Sequence, residues 1–472
     1  MNVSRTMPGS IPRQKASNVV WFLIAILAFS IIKHIPPAKD LSTEAISALA
    51  VFAVASILWI SNAFPIAVTG LVVLLLLPLS GAVTAQEAYS HFGNSAIFFV
   101  LGAFILASPV MRSGLSTRMA LALITRFGNT PISLVFALFI LSSMLSFVLS
   151  EHAVAAMLFP ITMAIIKAAK EQYGSDFAFG AFLATGWGAI IGGTGTLLGG
   201  ARAPLALGLL ESTTNYSISF VQWTEMVFPI VFLMLILAFI SVYLIIRKTK
   251  PNIMLAQQVL GSQKAKLGAF SYREALTLGV LCFTIFLWIF YGKRLGLDIV
   301  ALLGVAIAFA LRITRWKEVE QDVQWSIFVM YGSAIALSAV LSSTGAAKAI
   351  VLFIMSTGIQ DPFIILAILT VLATILTELM SNAAAVAVLM PIALILAQQY
   401  HIDPRAISVL VATAAGLTFL LPVSTPAMAI ITSTPFVPPF RAMRWGIALK
   451  LATVIIILWI AKVYWPMIGL SI

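Results

Sequence analysis

The chain is short of charge. Only 9% of its 472 residues are Asp, Glu, Lys or Arg, and 61% are hydrophobic, with a mean hydropathy of +1.07. Soluble domains carry roughly 25% charged residues, so this shortage excludes a soluble globular fold. Cysteine is nearly absent. Cys282 stands alone in an apolar run, which excludes an internal disulfide and leaves lipid-facing or core packing as its role. Histidine is scarce too, at four residues. His34, His91 and His401 lie near loops and no H-E-x-x-H spacing occurs, so an intramembrane hydrolase built on Glu151 and His152 has no partner. No catalytic residue is assigned, and the chain does not read as an enzyme. The formal net charge of +12 invites a nucleic-acid partner, but the basic residues sit mostly in short loops, where the positive-inside rule accounts for them.

What the chain has in abundance is long uncharged stretches. Windows of about 20 apolar residues recur from Val19 to the C-terminus, as an all-α polytopic membrane protein requires. The first run, Val19 to Ile32, has basic residues before it and no small-residue cleavage site after it, so it reads as a retained helix rather than a signal peptide. Apolar runs fall near 18–34, 42–60, 65–83, 95–111, 131–166, 177–210, 222–246, 273–291, 297–311, 325–343, 362–398, 405–435 and 445–468. Two of them, 131–166 and 362–398, are too long for one crossing and carry polar residues at their middles. Two more, 177–210 and 405–435, are interrupted by glycine, threonine or proline.

If the N-terminus is cytoplasmic and both long runs are re-entrant hairpins, nineteen of the 28 lysines and arginines fall on the cytoplasmic side, among them Arg112, Lys167, Arg247 and Arg312. The expected organisation is a cytoplasmic tail at 1–17, a first half at 18–247, a cytoplasmic linker at 248–271 and a second half at 272–472. The halves echo each other. Ser150 and Ser381, Pro160 and Pro391, and Gly114 and Gly345 are each 231 residues apart. With the orientation above, the hairpins open to opposite sides. An inverted repeat of this kind, with two re-entrant hairpins and two broken transmembrane helices, is the architecture of secondary transporters.

The polar residues within these runs are the candidate site. "SFVLSEHAVAAMLFP", Ser146 to Pro160, places Ser150, Glu151 and His152 at the first hairpin tip. "TELMSNAAAVAVLMP", Thr377 to Pro391, places Ser381, Asn382 and Ala383 at the second. Polar side chains at membrane depth are expensive and mark ligands or pathways, though Ser and Asn also cap helix ends. The breaks are "IIGGTGTLLGG", Ile190 to Gly200, with Gly195 and Thr196, and "LLPVSTPAMAI", Leu420 to Ile430, with Ser424, Thr425 and Pro426. A broken span presents free N–H groups and the positive end of a half-helix, both suited to a carboxylate. Pro426 fits the first position of a resumed helix with Thr425 as its cap.

These motifs, together with "WISNAFPIAVTGLVVLLLLPLSG" from Trp59, resemble the divalent anion:sodium symporters of the INDY type over nearly the whole chain. The resemblance implies carriage of dicarboxylates or citrate. It also implies a homodimer in which each protomer has a scaffold and an elevator-type transport domain. In that family each tip carries Ser-Asn-Thr and each broken span a Thr-Pro-rich turn followed by Asn, and these motifs hold sodium as well as substrate. Here the first tip reads Ser-Glu-His, the second Ser-Asn-Ala, and the first break has neither proline nor Asn. No metal site is therefore assigned, and sodium enters only if the carrier is a symporter.

His152 offers a substitute. A protonated imidazole supplies the charge that sodium would bring, cannot leave, and would oblige the carrier to exchange one anion for another. Glu151 either pairs with His152, pairs with Arg202, or titrates with His152 to couple transport to protons. Arg202 either grips a carboxylate or snorkels to the outer surface. The chain thus reads as a multi-pass protein of the cytoplasmic membrane exchanging C4–C5 dicarboxylates such as malate, succinate or 2-oxoglutarate without sodium and without a cofactor. Sodium- or proton-coupled symport of dicarboxylate or citrate is the alternative. A channel would need no pair of broken helices facing two hairpin tips.

Overall fold

The computed structural model describes residues 11–36, 41–214, 216–346, 349 and 358–472, so the expected tail lies outside the described residues up to position 10. Among the described residues regular structure is helical throughout, and nine helices are long and apolar enough to cross a bilayer. Cys282 is exposed on one of them, Tyr272–Phe290, and so lies on the outside of the helix bundle rather than in its core.

The four irregular runs each divide in two. The run 131–166 becomes Pro131–Ser146 and Glu151–Ala168, and 362–398 becomes Pro362–Leu379 and Asn382–Gln399. The run 177–210 becomes Asp176–Gly192 and Arg202–Thr213, and 405–435 becomes Pro404–Gly416 and Pro426–Thr432. Local chemistry explains the starts. Thr130 accepts from the Ser133 N–H at 3.1 Å while Ser133 accepts from the Thr130 N–H at 2.8 Å, a reciprocal cap before Pro131. Asp361 accepts from the Phe363 N–H at 2.8 Å with proline next in sequence. Ser381 accepts from the Ala384 N–H at 3.3 Å. Ser150 and Thr425 also hold the cap position, yet their hydroxyls cap nothing.

The expected linker differs from its polar reading. It contains a helix, Ile253–Lys266, which packs against Glu151–Ala168 and against Leu115–Phe127. Asn252 caps its start and Gly268, at φ +65°, ends it. Arg118 then fastens the turn beyond this helix, donating to the carbonyls of Leu267, Gly268 and Ala269 and to Glu274.

The helix Asp176–Gly192 runs through the centre, buried from Phe177 to Gly192. It lies close against Pro131–Ser146 because Gly188 and Gly192 face that helix's backbone: a Cβ at Gly188 would sit 2.6 Å from the Phe139 carbonyl oxygen. This contact fixes the first tip relative to the first break. Gly188→Ala is expected to cost roughly 1–3 kcal/mol through overpacking and to lower the melting temperature of the detergent-solubilised protein. Gly279→Ala, where nothing lies within 4 Å, should leave it unchanged or raise it. Equal melting curves would refute the close-packing account.

Candidate functional site

The first tip is tied to the first break by backbone and hydroxyl bonds. Glu151 N–H donates to the Gly199 carbonyl at 2.9 Å. Thr196 Oγ1 donates to the Phe147 carbonyl at 2.6 Å and accepts from the Leu198 N–H at 3.2 Å. Thr196 thus holds the tip, and Gly195 lies against the Phe147 ring, where a side chain would collide. At the second break Ser424 donates to its own turn, to the Leu421 carbonyl at 2.6 Å, and Pro426 starts the resumed helix after Thr425.

The centre is a buried ion pair. Glu151 and Arg202, each 3% exposed, meet at 2.9 Å. The other carboxylate oxygen of Glu151 accepts from Thr425 Oγ1 at 2.8 Å and lies 3.4 Å from the Asn382 amide nitrogen. The second arm of Arg202 donates to Thr194 Oγ1 at 2.6 Å. Thr194's carbonyl accepts from Trp223 at 3.3 Å. Asn382 Oδ1 lies 3.0 Å from Thr377 Oγ1, which is 2.6 Å from the Ala415 carbonyl. Both tips and both breaks therefore contribute to one cluster. The 231-residue offset relates Glu151 to Asn382 and also Thr194 to Thr425. Arg202 does not snorkel: Glu151 holds it in the interior, and its side chain fills the space beside Gly416. Of the possible partners for Glu151, Arg202 is the one in contact.

His152 stands apart from that pair. Its Nε2 faces Ser150 Oγ at 3.2 Å and the side-chain amide nitrogen of Gln324, at the start of Trp325–Ser343. Ser150's failure to cap its helix is explained by this contact, and Thr425's by its bond to Glu151. Ser381 does cap its helix. Ala383 is buried and brings no polar group.

Gln324 and Lys450 escape sequence reasoning; Thr194 lies within the first break without being singled out there, and Glu378, just before the second tip, reads as a structural residue of that hairpin. Glu378 accepts from the N–H groups of Phe419, Leu420 and Leu421 at 3.1, 3.3 and 3.1 Å, closing the second break. Lys450 neutralises it at 2.9 Å and donates to the Leu417 carbonyl at 2.9 Å. A charged residue within the last apolar run was the available signal. Among the described residues the hydroxyls of Ser146 and Thr418 are buried without a partner. Beside the half-helix that begins at Arg202, a cavity of about 410 Å³ is lined by Pro204, Leu207, Glu211 and Arg405 among others.

Several oxygens at the tips and breaks are already engaged within the protein. A sodium ion needs several free oxygens at close range. Here the oxygens of Glu151 and Thr194 accept from Arg202, and the Gly199 carbonyl accepts from the Glu151 N–H. At the second break the Leu417 carbonyl already receives a lysine.

Comparison with known proteins agrees with this architecture. The family described as sodium:sulfate symporter transmembrane region matches residues 16–471. Similar curated proteins include the sodium-dependent dicarboxylate transporter SdcS of Staphylococcus saprophyticus, 28% identical over 463 residues and spanning 92% of this chain and 89% of that one. An uncharacterized transporter of Haemophilus influenzae is 28% identical over 471 residues, spanning 95% and 97%. Among solved structures, MtrF of Neisseria gonorrhoeae superposes with a TM-score of 0.58 at 12% identity, covering 97% of this chain and 96% of that one. The YdaH transporter of Alcanivorax borkumensis gives 0.56 at 12% identity, covering 96% and 99%. At such identities the likeness speaks for the fold alone. The chain belongs to the sodium:sulfate symporter family, the divalent anion:sodium symporters of the sequence resemblance, and is a membrane transporter rather than an enzyme.

The two buried ion pairs predict an asymmetry. Arg202→Met or Lys450→Met strands a carboxylate in low dielectric and should destabilise the protein by roughly 3–5 kcal/mol. Glu151→Gln combined with Arg202→Met removes both charges and should recover most of the loss. Thermal unfolding of the single and double variants in detergent measures this coupling; additive losses would show that Glu151 and Arg202 act independently.

Proposed function

We propose that this family member is a sodium-independent secondary transporter of C4–C5 dicarboxylate anions of the malate, succinate and 2-oxoglutarate type. The observation that carries the reading is the Arg202 guanidinium, held inside the protein where both tips and both breaks converge. A guanidinium there can pair bidentately with a carboxylate. The half-helices starting at Glu151, Asn382 and Pro426 direct their positive ends toward the same region. The name of the Staphylococcus relatives supports a dicarboxylate as cargo.

The same geometry supports independence from sodium. Arg202 is a cation joined to the chain, so it needs no ion from solution and cannot be released. The transporter is proposed to exchange anions across the membrane by an elevator movement of the tip-and-break region against a scaffold. It does so as a homodimer in a bacterial cytoplasmic membrane, with the N-terminus inside. Exchange is obligatory while His152 carries a charge, because the empty site then has an uncompensated positive charge and its crossing is disfavoured. Sodium-coupled symport is favoured by the names of the family and of the Staphylococcus relatives.

Uptake of labelled malate and 2-oxoglutarate into proteoliposomes separates the two. The expected result is uptake in choline buffer within about twofold of that in sodium buffer, accelerated by internal dicarboxylate. Arg202→Gln should reduce it by at least about a hundredfold through loss of a buried charge-assisted contact. Uptake into anion-free vesicles that starts only when sodium is added would overturn the proposal.

A further inference from the structure

The Glu151–Arg202–His152 arrangement fixes the charge of the transporter with and without its cargo. In the arrangement seen, the guanidinium is neutralised by the Glu151 carboxylate at 2.9 Å. The imidazole of His152 faces an amide nitrogen of Gln324 and the hydroxyl of Ser150. Both contacts are uncharged and the ring has no carboxylate bonded to it, so in the empty carrier the buried imidazole is counted as neutral. Over the three groups the net charge is zero, and the empty site can cross without an anion.

A dicarboxylate dianion changes that sum. Arg202 can meet it with a full fork only by leaving Glu151, and a buried carboxylate without its partner is strongly disfavoured. A proton on Glu151 removes the penalty. With that proton the site contributes a single positive charge, one short of the dianion. A second proton, on His152, closes the difference: Arg202 and His152 carry two positive charges, Glu151 carries none, and the cargo carries two negative ones.

We infer that this chain couples dicarboxylate uptake to protons, two for each dianion, one carried on Glu151 and one on His152, while Arg202 passes from Glu151 to the cargo. The inference rests on the sodium-independent dicarboxylate reading above and adds its coupling ion and stoichiometry. Anion exchange is then the loaded carrier running in both directions, and proton coupling is its net mode. Both residues sit on one tip, so a single rearrangement exposes them to the same aqueous side.

The surroundings leave few competing charges. The charges acting on His152 are Glu151 and Arg202. The other side chains in contact with the three groups are Ser150, Thr194, Gln324, Asn382 and Thr425, all uncharged. Asp322, two residues from Gln324, is bound to Arg112 and Ser108. Glu378 and Lys450 are committed to each other at the second break. On the helices packed along Glu151–Ala168, Lys264 and Lys266 lie in the last turn of Ile253–Lys266 and Asp176 in the first turn of Asp176–Gly192. Asp176 is paired with Arg441.

The test uses the full chain in sodium-free proteoliposomes with no internal anion, labelled 2-oxoglutarate outside, and membrane potential set with potassium and valinomycin. An acidic exterior should drive uptake above the external concentration, independently of imposed voltage. The balance point between proton and substrate gradients should correspond to two protons per anion. Glu151→Gln leaves Arg202 uncompensated in the empty carrier, so the ratio of net uptake to exchange should fall at least about tenfold. His152→Asn removes one of the two compensating charges, so net uptake should become voltage-sensitive, which a merely structural role for His152 would not produce. Exchange that proceeds while the proton gradient has no effect overturns the coupling and leaves the dicarboxylate reading standing. Voltage-driven wild-type uptake overturns the two-proton stoichiometry. Absence of flux under every gradient, both in these vesicles and in parallel vesicles loaded with dicarboxylate, overturns both.

Discussion

A carboxylate and a guanidinium buried together in a membrane protein constrain everything around them. Neither Glu151 nor Arg202 can be left alone in a medium of low dielectric, so the elements that carry them must be held in register. The register comes from several directions. Gly199 takes the Glu151 N–H, Thr196 takes hold of the Phe147 carbonyl, and the glycines of Asp176–Gly192 let it lie against the helix leading into the tip. The second half closes the arrangement by sending Asn382 and Thr425 to the same carboxylate. Two hairpin-like segments and two interrupted helices become one unit because one ion pair needs all of them.

The second ion pair does a different task. Glu378 replaces the hydrogen bonds that the backbone loses at Phe419, Leu420 and Leu421, and Lys450 neutralises the charge so introduced. Unsatisfied backbone within a membrane costs several kcal/mol per group, so an open break near the bilayer centre needs such a support. The first break is supported by its own glycine turns and by Thr194 and Thr196. The two breaks thus reach a similar shape by unlike chemistry, and the positive charge at the centre enters from one of them only.

Much of this was legible in the sequence. A 9% share of charged residues leaves a membrane as the only solvent for so much apolar surface. The excess length of 131–166 and 362–398 and the glycine and proline in 177–210 and 405–435 placed all four interruptions, because helix breakers and polar residues stand out against an apolar background. The apolar runs 131–166 and 362–398 begin where the helices Pro131–Ser146 and Pro362–Leu379 begin, and Ser381, read from the sequence as a capping residue, accepts from the Ala384 N–H. The 231-residue offset of Ser150 and Ser381 already aligned Glu151 with Asn382, the pair that meets across the cluster.

What the sequence determined by itself is the set of residues that must be protected from lipid and the places where helices stop, since both depend on local composition and spacing. It did not determine which partner each charge would take. Arg202 had the surface within reach and Glu151 had His152 next to it in sequence, but the half-helix folds Arg202 inward onto Glu151 and leaves His152 to Ser150 and Gln324. Lys450, Gln324 and Thr425 lie 72, 172 and 274 residues from the groups they serve, Glu378, His152 and Glu151. Such pairings depend on how helices pack in three dimensions, because the energy of a buried charge is set by the few ångströms to its neighbour rather than by position along the chain.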